Sequence, residues 1–404
     1  MMRKLDLRTG KPVWLAYRAP SVPCQKLHRD MKCDVLVVGM GISGAMAAEA
    51  LTAAGHSVVC IDRRAPLAGS TSATTALVQF EIDQPITRLS RMIGKPAAQQ
   101  AWRRSRLALT NLKGRIEALD INCGLSSTPS LYVAGNALGA SELRKEATAR
   151  REAGIAATYL SRKALLDSHG IKRAGAIISH DNIAVDPRKL TAGLLLRSLE
   201  RKARFYAPVE AVKIESSRDS VAVQSNLGPI LTAKHLVLAT GYELVDIVPR
   251  KGHQLISTWA IATRPQPSKL WPGPAFMWEA SDPYLYARAT ADGRVICGGE
   301  DEDFSDETLR DKFIQSKSER IARKLSVLFP QIDSTPEFAW AGTFGSTATG
   351  LPFIGVVPQH PRVQAVMGYG GNGITFSQLA SEIMTASIEG YSDADAGLFA
   401  FPHA

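Results

Sequence analysis

Three features of the 404-residue sequence predict an α/β fold with two to three domains. The first is a strand, glycine turn and helix pattern that begins at residue 34, and the second is a glycine-rich segment before a helical pattern near the C-terminus. The third is a globular composition with 45% hydrophobic and 21% charged residues. A chain of this length and composition can bury its own cores, which excludes disordered, collagen-like and disulfide-stapled classes.

The N-terminal pattern is the strongest signal in the sequence. An apolar run at residues 34–38 leads into Gly39-Met-Gly-Ile-Ser-Gly44 and a helical segment, and a second apolar run at 57–61 ends at Asp62. Glycines at this spacing let the backbone approach a pyrophosphate, and an acid about 20 residues further on can bind an adenosine ribose. This pattern predicts a Rossmann-like unit for FAD or NAD, while Arg63 and Arg64 leave NADP open.

Three later segments fit the same unit. Residues 69–75 form a small, hydroxyl-rich loop whose short side chains let a flat ring approach. Residues 235–241 are typical of a buried strand with a small-residue turn. A glycine cluster at 367–376 precedes a helical pattern at 377–389, and a helix N-terminus there would favour an electron-rich group.

Charge, cysteine and histidine patterns indicate no specialised partner. The 48 Lys and Arg residues exceed the 38 Asp and Glu residues, for a net charge of +10, but they occur as scattered doublets. Five cysteines without a CxxC pair and histidines without ligand spacing argue against a metal site. The longest apolar stretch is too short for a membrane span, and the N-terminus lacks a secretory signal. We therefore expect reduced thiols, a cytoplasmic protein, no metal, no membrane span and no nucleic acid partner.

Together with residues 284–288, 293–299 and 340–355, these segments resemble the D-amino-acid-oxidase-like (DAO) family of FAD-dependent oxidoreductases, closest in style to its γ-glutamylputrescine oxidoreductase branch. The resemblance covers most of the chain. It implies FAD, held noncovalently because histidines and cysteines are missing where tethered relatives carry the link. It also implies oxidation of a C–N bond in an amine or amino-acid-like substrate by hydride transfer to flavin N5, after which the imine is hydrolysed.

The resemblance also assigns site residues by their position in the sequence. Those implied to bind FAD are Gly39, Gly41, Ser43, Gly44, Asp62, Arg63, Ser70, Thr71, Thr75, Leu77, Val209, Thr240, Gly241, Gly371, Asn372, Gly373, Ile374 and Thr375. Those implied to line the substrate pocket are Tyr286, Arg288, Trp340 and Phe344. A role within the sheet stays open for Tyr286 and Arg288. Amino-acid oxidases of the family commonly carry an arginine where this chain has Thr343 and Phe344, which favours an amine or polyamine-like substrate with an aromatic wall. The resemblance assigns no catalytic residue.

The implied architecture is interleaved, of the glutathione-reductase-like and DAO type. It has an extended N-terminal arm (1–30), a Rossmann-like FAD-binding domain (31–88, 176–243 and 337–404) and a β-rich substrate domain (89–175 and 244–336). Two other functions remain open: an FAD-dependent tRNA-modifying enzyme, and an FAD-binding protein without turnover. The electron acceptor, oxygen or an electron carrier, is not determined by the sequence.

Overall fold

Two β-sheets organise the chain in the computed structural model, which describes residues 6–402. The strands within this range are β1 (Arg8–Gly10), β2 (Met31–Val38), β3 (Val58–Ile61), β4 (Leu77–Val78), β5 (Ser126–Ala134), β6 (Ala157–Ser161), β7 (Gly175–Ala184), β8 (Arg204–Tyr206), β9 (Ala211–Ser216), β10 (Val221–Ser225), β11 (Ile230–Leu238), β12 (His253–Thr263), β13 (Phe276–Ala280), β14 (Leu285–Ala289), β15 (Val295–Glu302), β16 (Pro336–Thr347), β17 (Phe353–Val357) and β18 (His360–Met367). The α-helices are α1 (Ile42–Ala53), α2 (Ile86–Ile93), α3 (Lys95–Ala118), α4 (Ala140–Glu152), α5 (Arg162–His169), α6 (Pro187–Glu200), α7 (Glu307–Lys312), α8 (Ile314–Leu328) and α9 (Gly373–Ile388).

The smaller sheet, which we call the nucleotide sheet, contains the predicted Rossmann-like unit. Its order is β17-β18-β11-β2-β3-β8, with β9 and β10 continuing from β11. Strand β2 is parallel to both β3 and β11, and residues 35–38 pair with 58–61. Side chains on both faces of β2 and β3 are buried, as expected for a parallel sheet covered on both sides. The predicted α/β fold is confirmed.

The larger sheet, which we call the substrate sheet, has the order β1-β16-β12-β15-β14-β13-β5-β7-β4, with β6 paired to β7. Strands β12 to β15 supply most of its central part. Strands β4, β7 and β16 also belong to this sheet, although residues 77–78, 176–184 and 337–347 lie in ranges predicted for the FAD-binding domain. The chain therefore crosses between the two sheets more often than the predicted boundaries imply, because hydrogen bonding across the ladder determines which sheet a strand joins.

Four α-helices pack together beside the nucleotide sheet. Helix α1 contacts α6 and α9, and α3 also contacts α9. Asp186 caps α6 as predicted, since its carboxylate accepts the N–H groups of Arg188 at 2.9 Å and Lys189 at 3.1 Å. Helix α3 lies in the range predicted for the substrate domain, yet its buried Trp102 joins the same hydrophobic core as α1 and α9.

The arm predicted at residues 1–30 is docked onto the fold from residue 6 onward. Residues 8–10 pair with 340–342 of β16. The indole N–H of Trp14, which is 3% exposed, donates to the carbonyl of Thr74 at 2.6 Å. The arm therefore supports the hydroxyl-rich loop from outside. No helix among residues 6–402 has the length and apolarity that a membrane crossing requires.

Candidate cofactor and substrate site

A cavity of about 1870 Å³, including the part open to solvent, lies between the two sheets. It begins at the carboxyl ends of β2, β3 and β11, where Gly39, Asp62 and Thr240 line it. Ligands of open parallel sheets bind at this edge. The opposite wall comes from the substrate sheet. Because residues of both sheets line the cavity, it suits a cofactor on one side and a substrate on the other.

Two positions in the turn between β2 and α1 accept only glycine. Gly39 has a φ of +111°, and a β-carbon there would overlap with the carbonyl oxygen of Ala239. A β-carbon on Gly44 would overlap with the carbonyl oxygen of Gly39. Helix α1 begins next to Gly41 without a side-chain cap. Its first amides and its dipole can therefore serve an anionic group such as a pyrophosphate.

Asp62 and its neighbours form one end of the cavity, which we call the nucleotide end. The Asp62 carboxylate accepts the backbone N–H groups of Met40 at 2.6 Å and Arg64 at 2.7 Å. Burial raises the pKa of this carboxyl, and the two backbone hydrogen bonds act in the opposite direction. Arg63 contacts the carboxylate of Glu243, and the Val209 N–H donates to the Asp62 carbonyl at 2.7 Å. The structure thus brings Asp62, Arg63 and Val209 together.

The hydroxyl-rich loop lies beside the glycine turn. The Thr71 hydroxyl accepts the Ile42 N–H at 3.0 Å, so the loop is tied to the first turn of α1. The Ser70 hydroxyl is buried and has no hydrogen-bond partner among residues 6–402, although Ser70 lines the cavity. Thr75 and Leu77 also line it. The unpaired Ser70 oxygen and the glycine turn together fit the hydroxyl and phosphate groups that connect the two ring systems of FAD.

The C-terminal glycine segment closes the same side of the cavity. The Asn372 amide donates to the carbonyls of Gln79 at 3.0 Å and Glu81 at 2.8 Å, and the Gly371 N–H donates to Asp83 at 2.8 Å. The Thr375 hydroxyl donates to the Gln79 carbonyl at 2.8 Å. These bonds hold the start of α9 against the segment after β4. They keep the start of α9 at the cavity, which Gly373 and Ile374 line.

Some of the residues implied to bind FAD hold neighbouring segments of the protein together. The Ser43 hydroxyl faces Ser377 at 2.7 Å and the hydroxyl of Tyr369 at 3.0 Å, so it ties α1 to the C-terminal segment. Gly44 and Thr375 are not among the residues that line the cavity. The other implied FAD residues line it, and they are Gly39, Gly41, Ser43, Asp62, Arg63, Ser70, Thr71, Thr75, Leu77, Val209, Thr240, Gly241, Gly371, Asn372, Gly373 and Ile374.

The wall from the substrate sheet is rich in aromatic side chains. Trp278 on β13 lies opposite Tyr286 on β14, and the rings of Tyr284 and Tyr286 are 5.8 Å apart. Trp340 and Phe344 of β16 complete this wall. Burial raises the pKa of both tyrosines, so their hydroxyls stay protonated at neutral pH. The side chains of this wall are therefore neutral, and the Tyr286 hydroxyl can donate a hydrogen bond, whereas the Tyr284 hydroxyl donates to Asp301.

Arg288 lies outside the cavity wall, in contrast to the position that the resemblance implies. Its guanidinium donates to the carbonyls of Ala76 at 2.5 Å and Val185 at 3.3 Å, and it lies 5.5 Å from the ring centres of Trp14 and Phe276. Arg288 follows Tyr286 on the same strand face, but the arm and the chain before β4 cover it. Its buried contacts connect the arm, the loop and β14.

Several residues that line the cavity were missed by the sequence analysis. They include Asp83, Tyr242, Thr258 and Tyr284. Of these, Tyr242 directly follows the predicted segment 235–241 and Asp83 lies eight residues after the loop 69–75, so proximity in sequence was a usable signal for them. Thr258 had no signal, because it reaches the cavity through an irregularity in the pairing of β12 with β15.

A buried carboxylate stands behind the aromatic wall. The Tyr284 hydroxyl donates to Asp301, and burial raises the pKa of that carboxyl to about 6. The basic residues that line the cavity in the described range are Arg63 and Arg64, both in contact with Glu243 at the nucleotide end. No histidine or cysteine of that range lines it, and no group of three or more potential metal ligands occurs there.

The glycine turn, the buried acid and the open helix start define a dinucleotide-binding protein. The family described as FAD dependent oxidoreductase, DAO, matches residues 34–387, and the chain belongs to this family. It is thus an FAD-dependent oxidoreductase, which confirms the resemblance. γ-Glutamylputrescine oxidoreductase of Escherichia coli (strain K12) is 24% identical over 400 residues, covering 94% of this chain and 89% of that protein.

Solved structures share the fold. Glycine oxidase from Geobacillus kaustophilus matches with a TM-score of 0.74 at 19% identity, covering 93% of this chain and 100% of that chain. L-Proline dehydrogenase from P. horikoshii matches with a TM-score of 0.75 at 15% identity, covering 92% and 97% of the two chains. At these identities the likeness concerns the fold alone.

Proposed function

We propose that this FAD-dependent oxidoreductase oxidises a C–N bond of an amine. The observation that carries the proposal is the composition of the cavity. Its aromatic wall supplies apolar surface and hydroxyl groups, whereas its basic residues in the described range lie at the nucleotide end. An α-amino acid would bring a carboxylate that needs a cation for bidentate pairing. The similarity to γ-glutamylputrescine oxidoreductase also supports an amine substrate.

Bound FAD would supply the hydride acceptor, which receives the hydride from the carbon next to the substrate nitrogen. The glycine turn, Asp62 and the start of α9 would hold the cofactor. Tyr284, Tyr286 and Phe344 would orient the amine and exclude water from the reacting carbon. A dry, neutral wall disfavours the protonated form of an amine, so the nitrogen keeps the lone pair that the reaction requires. Water would then hydrolyse the imine product. Oxygen or an electron carrier would be the acceptor.

The test is anaerobic mixing of the FAD-loaded protein with pairs of donors. Each pair contains an amine and the amino acid that carries an additional α-carboxylate. We expect the amines to bleach the flavin absorbance faster than their carboxylated partners, and admission of air then separates an oxidase from a dehydrogenase. Bleaching by the amino acids alone, or by no donor, would overturn the proposal.

A further inference from the structure

Asp83 is a carboxylate that faces the cavity from the segment after β4. Its side chain is exposed, and it lines the cavity. One oxygen accepts the Gly371 N–H at 2.8 Å. Burial raises the pKa of this carboxyl, and the single backbone hydrogen bond offsets only part of the effect. The carboxylate is therefore poorly compensated within the protein.

No basic side chain compensates this charge. Among residues 6–402, no Lys, Arg or His nitrogen lies within 4.0 Å of the Asp83 carboxylate. The two arginines that line the cavity, Arg63 and Arg64, are engaged by Glu243 at the nucleotide end. The side-chain oxygen of Gln79 is a second hydrogen-bond acceptor without a donor in the described range. Gln79 is 8% exposed and lines the same cavity. Both groups need a ligand that donates hydrogen bonds, and Asp83 needs one with a positive charge.

Tyr242, Tyr284 and Tyr369 line the same cavity as Asp83. Tyr242 and Tyr369 lie in an edge-to-face pair with ring centres 5.9 Å apart, and the Tyr242 hydroxyl lies 3.9 Å from the β-carbon position of Gly373. The charge of Asp83 acts on Tyr242, on Tyr284 and on the carboxyl of Asp301, and it contributes to the raised pKa of each. Neutral tyrosine faces attract ammonium groups, and a carboxylate beside them adds direct charge pairing.

The chemistry of the proposed reaction decides which nitrogen Asp83 can serve. The nitrogen next to the oxidised carbon must be neutral, since its lone pair drives hydride departure. A carboxylate in contact with an amine stabilises the protonated form, which has no lone pair to give. A cation held by Asp83 must therefore be a different group of the same molecule.

Resting on the proposed function, we propose that Asp83 is a specificity residue that binds a second nitrogen of the substrate, one that stays protonated, in the cavity that Tyr242 and Tyr284 also line. The substrate class is then a diamine or polyamine-like cation whose two nitrogens are treated differently. One is bound as an ammonium at Asp83, and the other is oxidised as a free amine at the aromatic wall.

The test uses a series of terminal diamines from ethylenediamine to cadaverine, each paired with the monoamine of the same carbon chain. Asp83→Asn removes the charge, while its amide oxygen can still accept the Gly371 N–H. Asp219→Asn, an exposed residue between β9 and β10, makes the same change in net charge away from the cavity. For each FAD-loaded protein we would measure kcat, KM and, by calorimetry, equilibrium binding of each amine, together with the affinity for FAD.

We expect the wild-type protein to prefer at least one diamine over its monoamine. Asp83→Asn should weaken binding of that diamine and raise its KM by about 30-fold or more, with kcat and the monoamine constants little changed. Asp219→Asn should behave as the wild type. Equal loss for diamine and monoamine, or reduced FAD affinity in Asp83→Asn, would overturn the inference by assigning Asp83 to a general or cofactor role. Absence of any diamine preference in the wild type would overturn it as well.

The two proposals fail separately in this experiment. If diamines bind in an Asp83-dependent manner but bleach no flavin, the proposed amine oxidation is wrong and the cation site stands. If amines are oxidised without dependence on Asp83, the cation site is wrong and the reaction stands.

Discussion

A β-carbon on Gly44 would overlap with the carbonyl oxygen of Gly39, so the start of α1 approaches the end of β2 more closely than residues with side chains allow. This approach forms the turn that we assign to the pyrophosphate of FAD. Substitution of either residue is expected to move the first turn of α1 away from the cavity.

We expect Gly44→Ala to weaken FAD binding by about tenfold or more, which corresponds to about 1.4 kcal/mol. The physical reason is displacement of the α1 amides from the cofactor. The measurement is titration of the apoprotein with FAD, followed by flavin fluorescence. Gly114→Ala in the last turns of α3 is the matched control, because no heavy atom outside the adjoining stretch of its own helix lies within 4 Å of its β-carbon position. An unchanged FAD affinity in Gly44→Ala would contradict the assignment of this turn.

Arg288 is expected to support the fold and to leave substrate affinity unchanged. Replacing it by Met leaves the carbonyls of Ala76 and Val185 without their donor, which should cost about 1–3 kcal/mol of unfolding free energy. Denaturant unfolding measures this cost. The KM of the amine should change by less than about twofold, since a cation outside the wall does not contact substrate.

The exposed Arg29→Met serves as the control for loss of an arginine charge. A large increase in KM for Arg288→Met at unchanged stability would instead support direct contact between Arg288 and the substrate.

Asp301 is expected to influence the pH dependence of activity. Its carboxyl has a pKa of about 6, raised mainly by burial, and it accepts the Tyr284 hydroxyl. Above this pH the carboxylate orients Tyr284, and below it the neutral acid loses charge and gains a donor. Acidification from about pH 7 to about pH 5 should therefore lower kcat/KM of the wild type. In Asp301→Asn this decrease should be much smaller.

The profile of kcat/KM against pH provides the measurement for Asp301. Asp303→Asn, an exposed carboxylate two residues further along, is the control. Identical acid limbs in the wild type and in Asp301→Asn would assign the titration to another group.

His253 is expected to make folding sensitive to acid. Burial lowers the pKa of its imidazole to about 4, with Arg250 acting in the same direction. Because the unfolded chain binds this proton more readily, the stabilisation is present at neutral pH and is lost as the pH falls from about 6.5 toward about 4. The loss between about pH 7.5 and about pH 5 amounts to about 2 kcal/mol.

Urea unfolding at the two pH values tests this expectation. His253→Gln should lose less stability on acidification than the wild type, whereas the exposed His180→Gln should follow the wild type. Equal losses in all three proteins would show that His253 does not determine the acid sensitivity.

The sequence alone determined the elements whose chemistry is local. Gly39, Gly44 and Asp62 are recognisable because the turn, the helix start and the strand end occupy one short stretch of chain. The Asp186 cap and helix α3 were predictable for the same reason, since capping and helical periodicity are properties of neighbouring residues. The family resemblance then supplied the place of FAD.

Only the tertiary structure decided which side chains face the cavity. Strand alternation correctly put Tyr286 and Arg288 on one face, but the chain around Ala76 and the arm at Trp14 cover the arginine and leave the tyrosine open. Asp83 faces the cavity because its segment is bonded to Gly371, which is 288 residues away in sequence. Contacts between distant segments leave no periodic pattern in the chain, so the substrate end of the site became visible only once the two sheets were in place.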